Sequence, residues 1–250
     1  MFERVGRSLW TGRRARLLAL ALMAAAIPGT ALAQTRSESM SPGVLIITMA
    51  ALALAPFALI MTTSFVKVAV VLSIARNAIG TQQIPPNQVI TGLAIMLTVF
   101  IMTPVAIDAY QAAGTMPDQQ SSMRQIFDAA QRGKEPVRAF LMKHAHSDEK
   151  ALFVGLAGEL DPERASLVED QDFQVLIPAF VISELKEAFL IGFFIFLPFL
   201  VVDIIVSNIL LALGMHMLSP LAISLPFKLL VFIAADGWVM IVSGLVKGYV

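Results

Sequence analysis

The fold is decided by one apolar stretch late in the chain, LPFLVVDIIVSNILLALGMHMLSPLAISLPFK at residues 197–228. It is apolar enough to enter a bilayer, yet it contains Asp203 and Lys228, and Asp236 follows soon after. A charge in such a segment is retained where it is paired, solvated or buried against protein. Proline interrupts helical hydrogen bonding, and three prolines are expected to break simple spanning helices: Pro198, Pro220 and Pro226. The stretch therefore predicts membrane-associated protein packed around an interior path.

The composition extends this class to the whole chain. Of its 250 residues, 57% are hydrophobic and only 14% are charged, and the mean hydropathy is +0.78. Soluble domains are about 45–50% apolar and about 25% charged, so we predict an integral membrane or membrane-complex protein. The absence of cysteine excludes disulfides and thiolate nucleophiles. A net charge of +0 without a basic patch predicts no nucleic-acid binding.

Residues 1–33 are predicted to be a secretory signal peptide. An arginine-rich beginning is followed by the apolar segment 17–27 and by the small-residue site Ala31-Leu32-Ala33. The mature chain is then expected to begin near Gln34, outside the cytoplasm. An uncleaved anchor helix is the alternative, and the residues around Arg13-Arg14 fit a twin-arginine signal poorly.

Four apolar blocks follow, each near the about 20 residues that cross a hydrocarbon core: residues 44–63 with an amphipathic continuation to 79, then 89–107, 188–213 and 221–246. Lys67 and Arg76 are the only charges between residues 39 and 107. The positive-inside rule therefore places the connection between the first two blocks in the cytoplasm. That connection ends in the turn-rich stretch GTQQIPPN at residues 80–87.

A polar, helical extracytoplasmic region is predicted at residues 108–176. It is expected to contain short amphipathic helices at 125–130, 136–144 and 148–160, with a new helix starting at Asp161-Pro162-Glu163. So small a region is expected to be stabilised by packing against the apolar helices or against neighbouring chains. The chain is thus divided into residues 1–33, N-terminal apolar helices at 34–107, the polar region at 108–176, and C-terminal apolar helices at 177–250.

The sequence gives little support to catalysis. It contains no GxSxG, HExxH or GxxxxGK[ST] motif. His144 and His146, with Asp148 and Glu149, would offer ligands to a divalent metal, but such a pair in a polar acidic loop is usually solvated. We therefore predict neither an enzyme nor a cofactor. A membrane metalloenzyme at the two histidines is the alternative that bound metal would support.

The charges inside the apolar segments allow two interpretations. Asp203, Lys228 and Asp236 would form a proton relay in an ion-coupled secondary transporter or channel, since intramembrane ionisable groups mark ion pathways by default. Alternatively, they pair with each other or with a neighbouring chain and fix helix register in a low-dielectric interior. We expect Glu184 and Lys186 at the polar end of the third block, with interhelical contacts as the alternative.

A break between two apolar helices is predicted at residues 213–219, closed by Pro220. Met215 and Met217 lie in it beside Gly214. Methionine is unbranched and polarisable, so the pair would form an adaptable seal. With 13 methionines in the chain, a chance location is the alternative.

Several ordered motifs carry a family resemblance across residues 45–250. They are TSFVK at 63–67, GTQQIPPNQV at 80–89, IPAFVISELKEAF at 177–189, IGF at 191–193, LPFLVVD at 197–203, MHMLSP at 215–220, ISLPFK at 223–228 and DGW at 236–238. Together they resemble the FliP/SctR family of type III secretion export-gate subunits. The resemblance implies an all-α, membrane-associated subunit of hairpin-like long helices with a small helical extracytoplasmic region.

The resemblance also implies an assembly. Such subunits form a roughly pentameric homo-oligomer, which joins a small two-helix subunit of the FliQ/SctS type and a FliR/SctT-type subunit in a conical export gate. Large export-gate and switch subunits are further partners. The gate belongs to the bacterial inner membrane, lies largely on its periplasmic side, and conducts unfolded secreted proteins. The energy for transport comes from other components.

Site residues follow from the same resemblance. Met215, His216 and Met217 are the channel gate, with His216 standing where the family usually has a third methionine. Asp203, Lys228, Asp236, Glu184 and Lys186 become contacts within the assembly. The stretches SFVK at 64–67 and SNILLALG at 207–214 favour an injectisome, while a signal peptide is more typical of the flagellar protein.

Overall fold

The structure is a computed structural model that describes residues 42–81, 84–114, 123–163 and 165–250. Its regular elements are all helical, without a strand in those residues, which confirms the predicted all-α class. The predicted signal peptide lies outside the described residues. The helices are α1 (Pro42–Thr62), α2 (Phe65–Ile79), α3 (Asn87–Ala113), α4 (Met123–His144), α5 (Ser147–Leu160), α6 (Phe173–Ala212), α7 (Pro220–Ala234) and α8 (Gly237–Lys247).

The chain divides into two units, Met1–Ala53 and Leu54–Val250. In the first, the described residues are the beginning of α1 alone. The second contains all the other helices and the core. The site described below belongs to this second unit.

The core is centred on α2 and the first half of α6. Val68, Val71, Leu72 and Ala75 of α2 are fully buried, and their spacing of three to four residues places them on one helical face. They join a cluster with Leu176, Ala179 and Phe180 of α6. Close approach of the two helices also requires Gly192, where a Cβ would lie 2.5 Å from the side chain of Ile74.

Proline breaks fewer helices than predicted. α6 runs for 40 residues through Pro178 and Pro198, and Pro226 lies inside α7. The expectation that Pro198 and Pro226 end helices is therefore wrong, because the loss of one backbone hydrogen bond is tolerated within a long apolar helix. Pro220 does mark a boundary, since it begins α7, where its missing N–H would have no helical partner.

The polar region also differs from the prediction. α4 is one continuous helix across Pro136, rather than two short ones, and its residues Phe140 and Leu141 are buried in the core. That burial offsets the hydrogen bond lost at proline. The predicted helix start at residues 161–163 is a turn, which is followed only by the short 3-10 helix Ala165–Leu167, and α6 begins after Asp172.

Length and composition alone make α3 and α6 candidates for crossing a membrane. Two bent pairs would raise the number to four: Leu52–Thr62 with α2, at 67°, and α7 with α8, at 57°. The fourth predicted block is thus two helices that meet at a bend beside Asp236. The third block begins earlier than predicted, at Phe173.

Candidate functional site

The predicted break between the last long apolar helices is a short turn between α6 and α7. Gly214 has a φ of 72°. The N–H of Met215 donates to the carbonyl of Leu210 at 2.9 Å, and the N–H of Gly214 to that of Leu211 at 3.0 Å. This is the Schellman motif, in which a left-handed glycine closes a helix C-terminus. Ser219 then precedes Pro220 at the start of α7.

The three predicted gate residues all lie on this turn and are exposed. Met217 is 99% exposed and Met215 46% exposed. Because the turn is held by backbone hydrogen bonds, these side chains are free to contact whatever lies beyond the end of the α6–α7 hairpin. Their role in sealing a channel stays a prediction.

Asp203 and Lys228 form an ion pair that joins α6 to α7. The ammonium of Lys228 donates to Oδ2 of Asp203 at 2.6 Å, and the hydroxyl of Ser224 donates to Oδ1 at 2.6 Å. The side chain of Lys228 is 4% exposed and that of Asp203 21% exposed. Both oxygens of the carboxylate are therefore satisfied within the chain, about three helical turns before the turn that carries the methionines.

A second charged cluster lies within the first half of α6. The ammonium of Lys67 lies 3.0 Å from Oε1 of Glu184 and 2.6 Å from Oε2 of Glu187. It also lies 4.2 Å from the ring centroid of Tyr249, whose hydroxyl donates to Glu184. Burial raises the pKa of the Tyr249 hydroxyl, so this group remains a hydrogen-bond donor. The cluster ties α2 and the segment after α8 to α6.

The polar region attaches to α6 through the same cluster. The ammonium of Lys186 donates to Glu149 of α5, and this hydrogen bond lowers the pKa of the Glu149 carboxyl. Nε2 of His146 lies 2.7 Å from Oε1 of Glu187, and the N–H of His146 donates to the hydroxyl of Ser183 at 2.9 Å. The expectation that these charges of α6 sit at a polar helix end is wrong, because they make interhelical contacts.

The two histidines considered as metal ligands have different surroundings. The ring of His144 packs beside Phe140 and Tyr249, at centroid distances of 4.7 and 5.0 Å. His144 is thus half-buried, so the predicted solvation of both rings is wrong for this one, and the same burial lowers its pKa to about 4. In the described ranges, no group of three or more His, Asp or Glu side chains is placed to hold a metal ion.

Asp236, by contrast, has no side-chain partner among the described residues. It is exposed at the bend between α7 and α8. Its φ is 47°, and its side chain does not cap the helix that it precedes. Four of the five predicted charges thus have partners within the chain: Asp203, Lys228, Glu184 and Lys186. The fifth, Asp236, has no side-chain partner among the described residues.

Comparison with known proteins shows which family has this sequence pattern. The sequence pattern that defines the FliP family matches residues 48–245. This chain belongs to the FliP family. That assignment confirms the resemblance drawn from the motifs, and the match includes the α6–α7 turn and the charged residues of both clusters, while Tyr249 lies beyond it.

Individual FliP-family relatives cover most of the chain. Yop proteins translocation protein R of Yersinia pestis is 47% identical over 209 residues, which are 82% of this chain and 95% of that protein. Hypersensitivity response secretion protein HrcR of Ralstonia nicotianae is 41% identical over 208 residues, 82% and 96% of the two chains. Flagellar biosynthetic protein FliP of Caulobacter vibrioides is 45% identical over 203 residues, 80% and 74% of the two chains.

Sequence reasoning missed several partners in this FliP-family site: Lys67, Glu149, Ser224 and Tyr249. Lys67 did carry a signal, since a lone lysine in an apolar helix implies a buried acidic partner. Tyr249 carried none, because its contact with Glu184 joins residues far apart in the sequence. The charge pairs within the chain therefore required the three-dimensional fold.

Proposed function

We propose that this chain is a non-enzymatic, pore-lining subunit of a type III protein export gate in the bacterial inner membrane, which conducts unfolded secretion substrates. Its relatives are named for secretion, translocation and flagellar biosynthesis. Among these settings we favour an injectisome, on the motifs at residues 64–67 and 207–214. FliQ/SctS-type and FliR/SctT-type subunits, with the large export-gate and switch subunits, are the proposed partners.

The observation that carries this proposal is the length of exposed apolar surface on α6. Large hydrophobic residues of α6 are exposed from Ile182 to Leu211, a span of about 44 Å at roughly 1.5 Å per residue. A bilayer covers only about 30 Å of hydrocarbon. About a third of this surface therefore needs a cover of protein, and further copies of the same helix are the natural cover in a homo-oligomer.

The α6–α7 turn is the proposed constriction. It lies at the end of the hairpin, and its exposed residues include Met215 and Met217. In a ring of hairpins, equivalent turns from several copies would converge, and thioether side chains would close around the axis and yield to a passing polypeptide. The Asp203–Lys228 pair joins the two helices of each hairpin about three helical turns from this point.

Imaging of the assembled complex tests the proposal. The full chain is co-expressed with its co-encoded export subunits, purified in detergent and examined by electron cryomicroscopy. We expect a ring containing several copies of this chain, with the turns at residues 213–219 facing the axis. A monomeric chain, or a ring with those turns on its outer surface, would contradict the proposal.

A further inference from the structure

The α6–α7 turn contains the most exposed methionine in the described part of the chain. Met217 is 99% exposed, and the next most exposed, Met49, is 64% exposed. All residues from 211 to 219 are exposed, and a Cβ on Gly214 would meet nothing within 4 Å beyond its chain neighbours. No other part of the described chain therefore shields the sulfur of Met217 from water.

The other methionines whose side chains the structure describes differ from the pair in the turn. They lie inside helices: Met49 and Met61 of α1, Met96 and Met102 of α3, Met142 of α4 and Met240 of α8. α3 is long and apolar enough to cross a membrane, and the second half of α1 and α8 belong to bent pairs that pass the same test. Exposed apolar surface of this extent is covered by lipid or by another protein. Water-borne reagents are therefore expected to reach Met217 and Met215 first.

A thioether is open to one specific modification, oxidation to a sulfoxide. The sulfur lone pair of methionine attacks one oxygen of hydrogen peroxide, the O–O bond breaks, and proton transfer gives a sulfoxide and one water. The sulfur loses two electrons and the peroxide gains them. The chain has no cysteine that would react in its place. The product is polar and chiral, whereas the thioether is apolar.

A location at the proposed constriction does not hide these sulfurs from peroxide. Side chains that close a path face water on each side of the seal, and hydrogen peroxide is uncharged and little larger than water. The N–H of Met215 donates to the carbonyl of Leu210 at 2.9 Å, and that of His216 to the carbonyl of Gly214 at 3.0 Å. These bonds hold the turn, so the thioethers stay at the end of the hairpin.

We propose that Met217, with Met215 as a second site, is modified by hydrogen peroxide and other oxidants that transfer one oxygen, and that the sulfoxide opens the seal of the export gate. An apolar constriction closes by excluding water, and a sulfoxide oxygen inside it needs a hydrogen-bond donor. Water enters to supply one. Methionine sulfoxide reductases restore the thioether, so the opening is reversible. The modification depends on exposure alone, whereas its effect on the seal rests on the proposed function.

Peptide mass spectrometry tests the modification. The intact complex of the full chain with its co-encoded export subunits is treated in detergent with limiting hydrogen peroxide, and the sulfoxide fraction at each methionine is followed over time. We expect Met217 to be oxidised first and Met215 next, because helix-borne Met96 and Met240 are covered by detergent or protein. Faster oxidation of Met96 or Met240 than of Met217 would overturn the inference.

Resting conductance of the complex in a planar bilayer tests the consequence. Peroxide should raise it at least about fivefold, the change in the open-to-closed ratio expected when a polar group is buried without a partner. Added methionine sulfoxide reductases, one for each sulfoxide epimer, should reverse the rise. Met215→Leu with Met217→Leu keeps both positions apolar and removes both sulfurs, so it should abolish the response. The matched control, Met240→Leu, removes an exposed methionine of α8 and should respond like the unmodified chain.

Met217→Gln supplies a readout without an oxidant. Its amide is polar, as a sulfoxide is, so this variant should leak before any peroxide is added. An undiminished peroxide response in the double leucine variant would overturn the inference, as would complete sulfoxide formation at Met217 without a rise in conductance. If the ring in these experiments is intact with its turns facing the axis, the proposed function survives; a ring with the turns on its outer surface refutes both.

Discussion

The ammonium of Lys67 lies 3.0 Å from Oε1 of Glu184, and both side chains are buried, at 3% and 0% exposure. One residue belongs to α2 and the other to α6, so the pair joins the two helices that form the core. Removal of one partner from such a pair strands the other charge in a low-dielectric interior. The effects of substitutions at these two positions on stability are therefore expected to be non-additive.

Lys67→Met is expected to destabilise the chain by about 3–5 kcal/mol, because Glu184 and Glu187 lose their shared cation. Glu184→Leu alone should cost less, since Lys67 keeps its contact with Glu187 at 2.6 Å. The double variant should be more stable than Lys67→Met, because it removes the buried carboxylate that Lys67→Met leaves without a cation. Thermal unfolding in detergent measures all three.

The pair of Glu135 and Arg138, whose atoms lie 3.1 Å apart and whose glutamate is 50% exposed, is the control. Glu135→Gln should cost no more than about 1 kcal/mol, the usual limit for a solvated pair. Equal losses at the buried and the exposed pair would show that burial does not govern this contact.

Exchange of Asp203 and Lys228 separates a structural pair from a proton relay. Asp203→Asn and Lys228→Met should each reduce assembly of the complex, because each leaves one charge unpaired between α6 and α7. Asp203→Lys with Lys228→Asp should restore assembly and secretion substantially, since the pair is rebuilt with reversed polarity. Size-exclusion profiles and a secretion assay report the two effects. Single variants that assemble normally yet transport nothing would favour the relay.

The α6–α7 break was predictable from sequence because its signals are local. Gly214 and Pro220 have conformational preferences that act at their own positions, and the structure uses both. The apolar blocks were predictable for the same reason, since hydropathy is a property of consecutive residues.

The errors arose where tertiary packing overrode a local signal. Pro136 remains inside a helix whose Phe140 and Leu141 are buried in the core, and Pro198 remains inside a 40-residue apolar helix that tolerates one lost hydrogen bond. Glu184 was expected at a polar helix end, yet Lys67 and Tyr249 draw it into the core. Such contacts depend on which helices meet, and one sequence alone does not contain that information.

Low pH is expected to reduce the stability of the polar region, because His144 is protonated more readily in the unfolded chain. Burial, with Lys67 and Lys143 nearby, lowers its pKa to about 4, while Glu187 opposes this effect. An unfolded histidine has a pKa of about 6.5, so between these values the unfolded state binds more protons. Stability therefore falls as the pH drops from about 6.5 towards 4.

His144→Phe removes this titration and keeps a ring beside Phe140 and Tyr249. Between pH 7 and pH 4.5, we expect the melting temperature of this variant to fall less than that of the unmodified chain. The difference between the two falls corresponds to the one proton that His144 binds on unfolding. Phe140→Leu alters the same packing without removing a titratable group, so it should lower the melting temperature and retain the pH response. An unchanged pH response in His144→Phe would contradict the assignment.

His216→Met is expected to reduce ion leak through the closed gate. Imidazole is stiffer than a thioether and carries polar nitrogens, so it admits water between side chains that methionine would exclude. The purified complex is reconstituted in a planar bilayer, and resting conductance is compared between the two forms. Leu218→Met adds a thioether to the same turn while keeping His216, so it controls for methionine content.

Gly214→Ala should raise the leak, because alanine in the left-handed conformation costs roughly 1 kcal/mol and displaces the turn. Equal conductance in all four forms would mean that the residues of this turn do not form the seal, and the constriction would then have to lie elsewhere along the path.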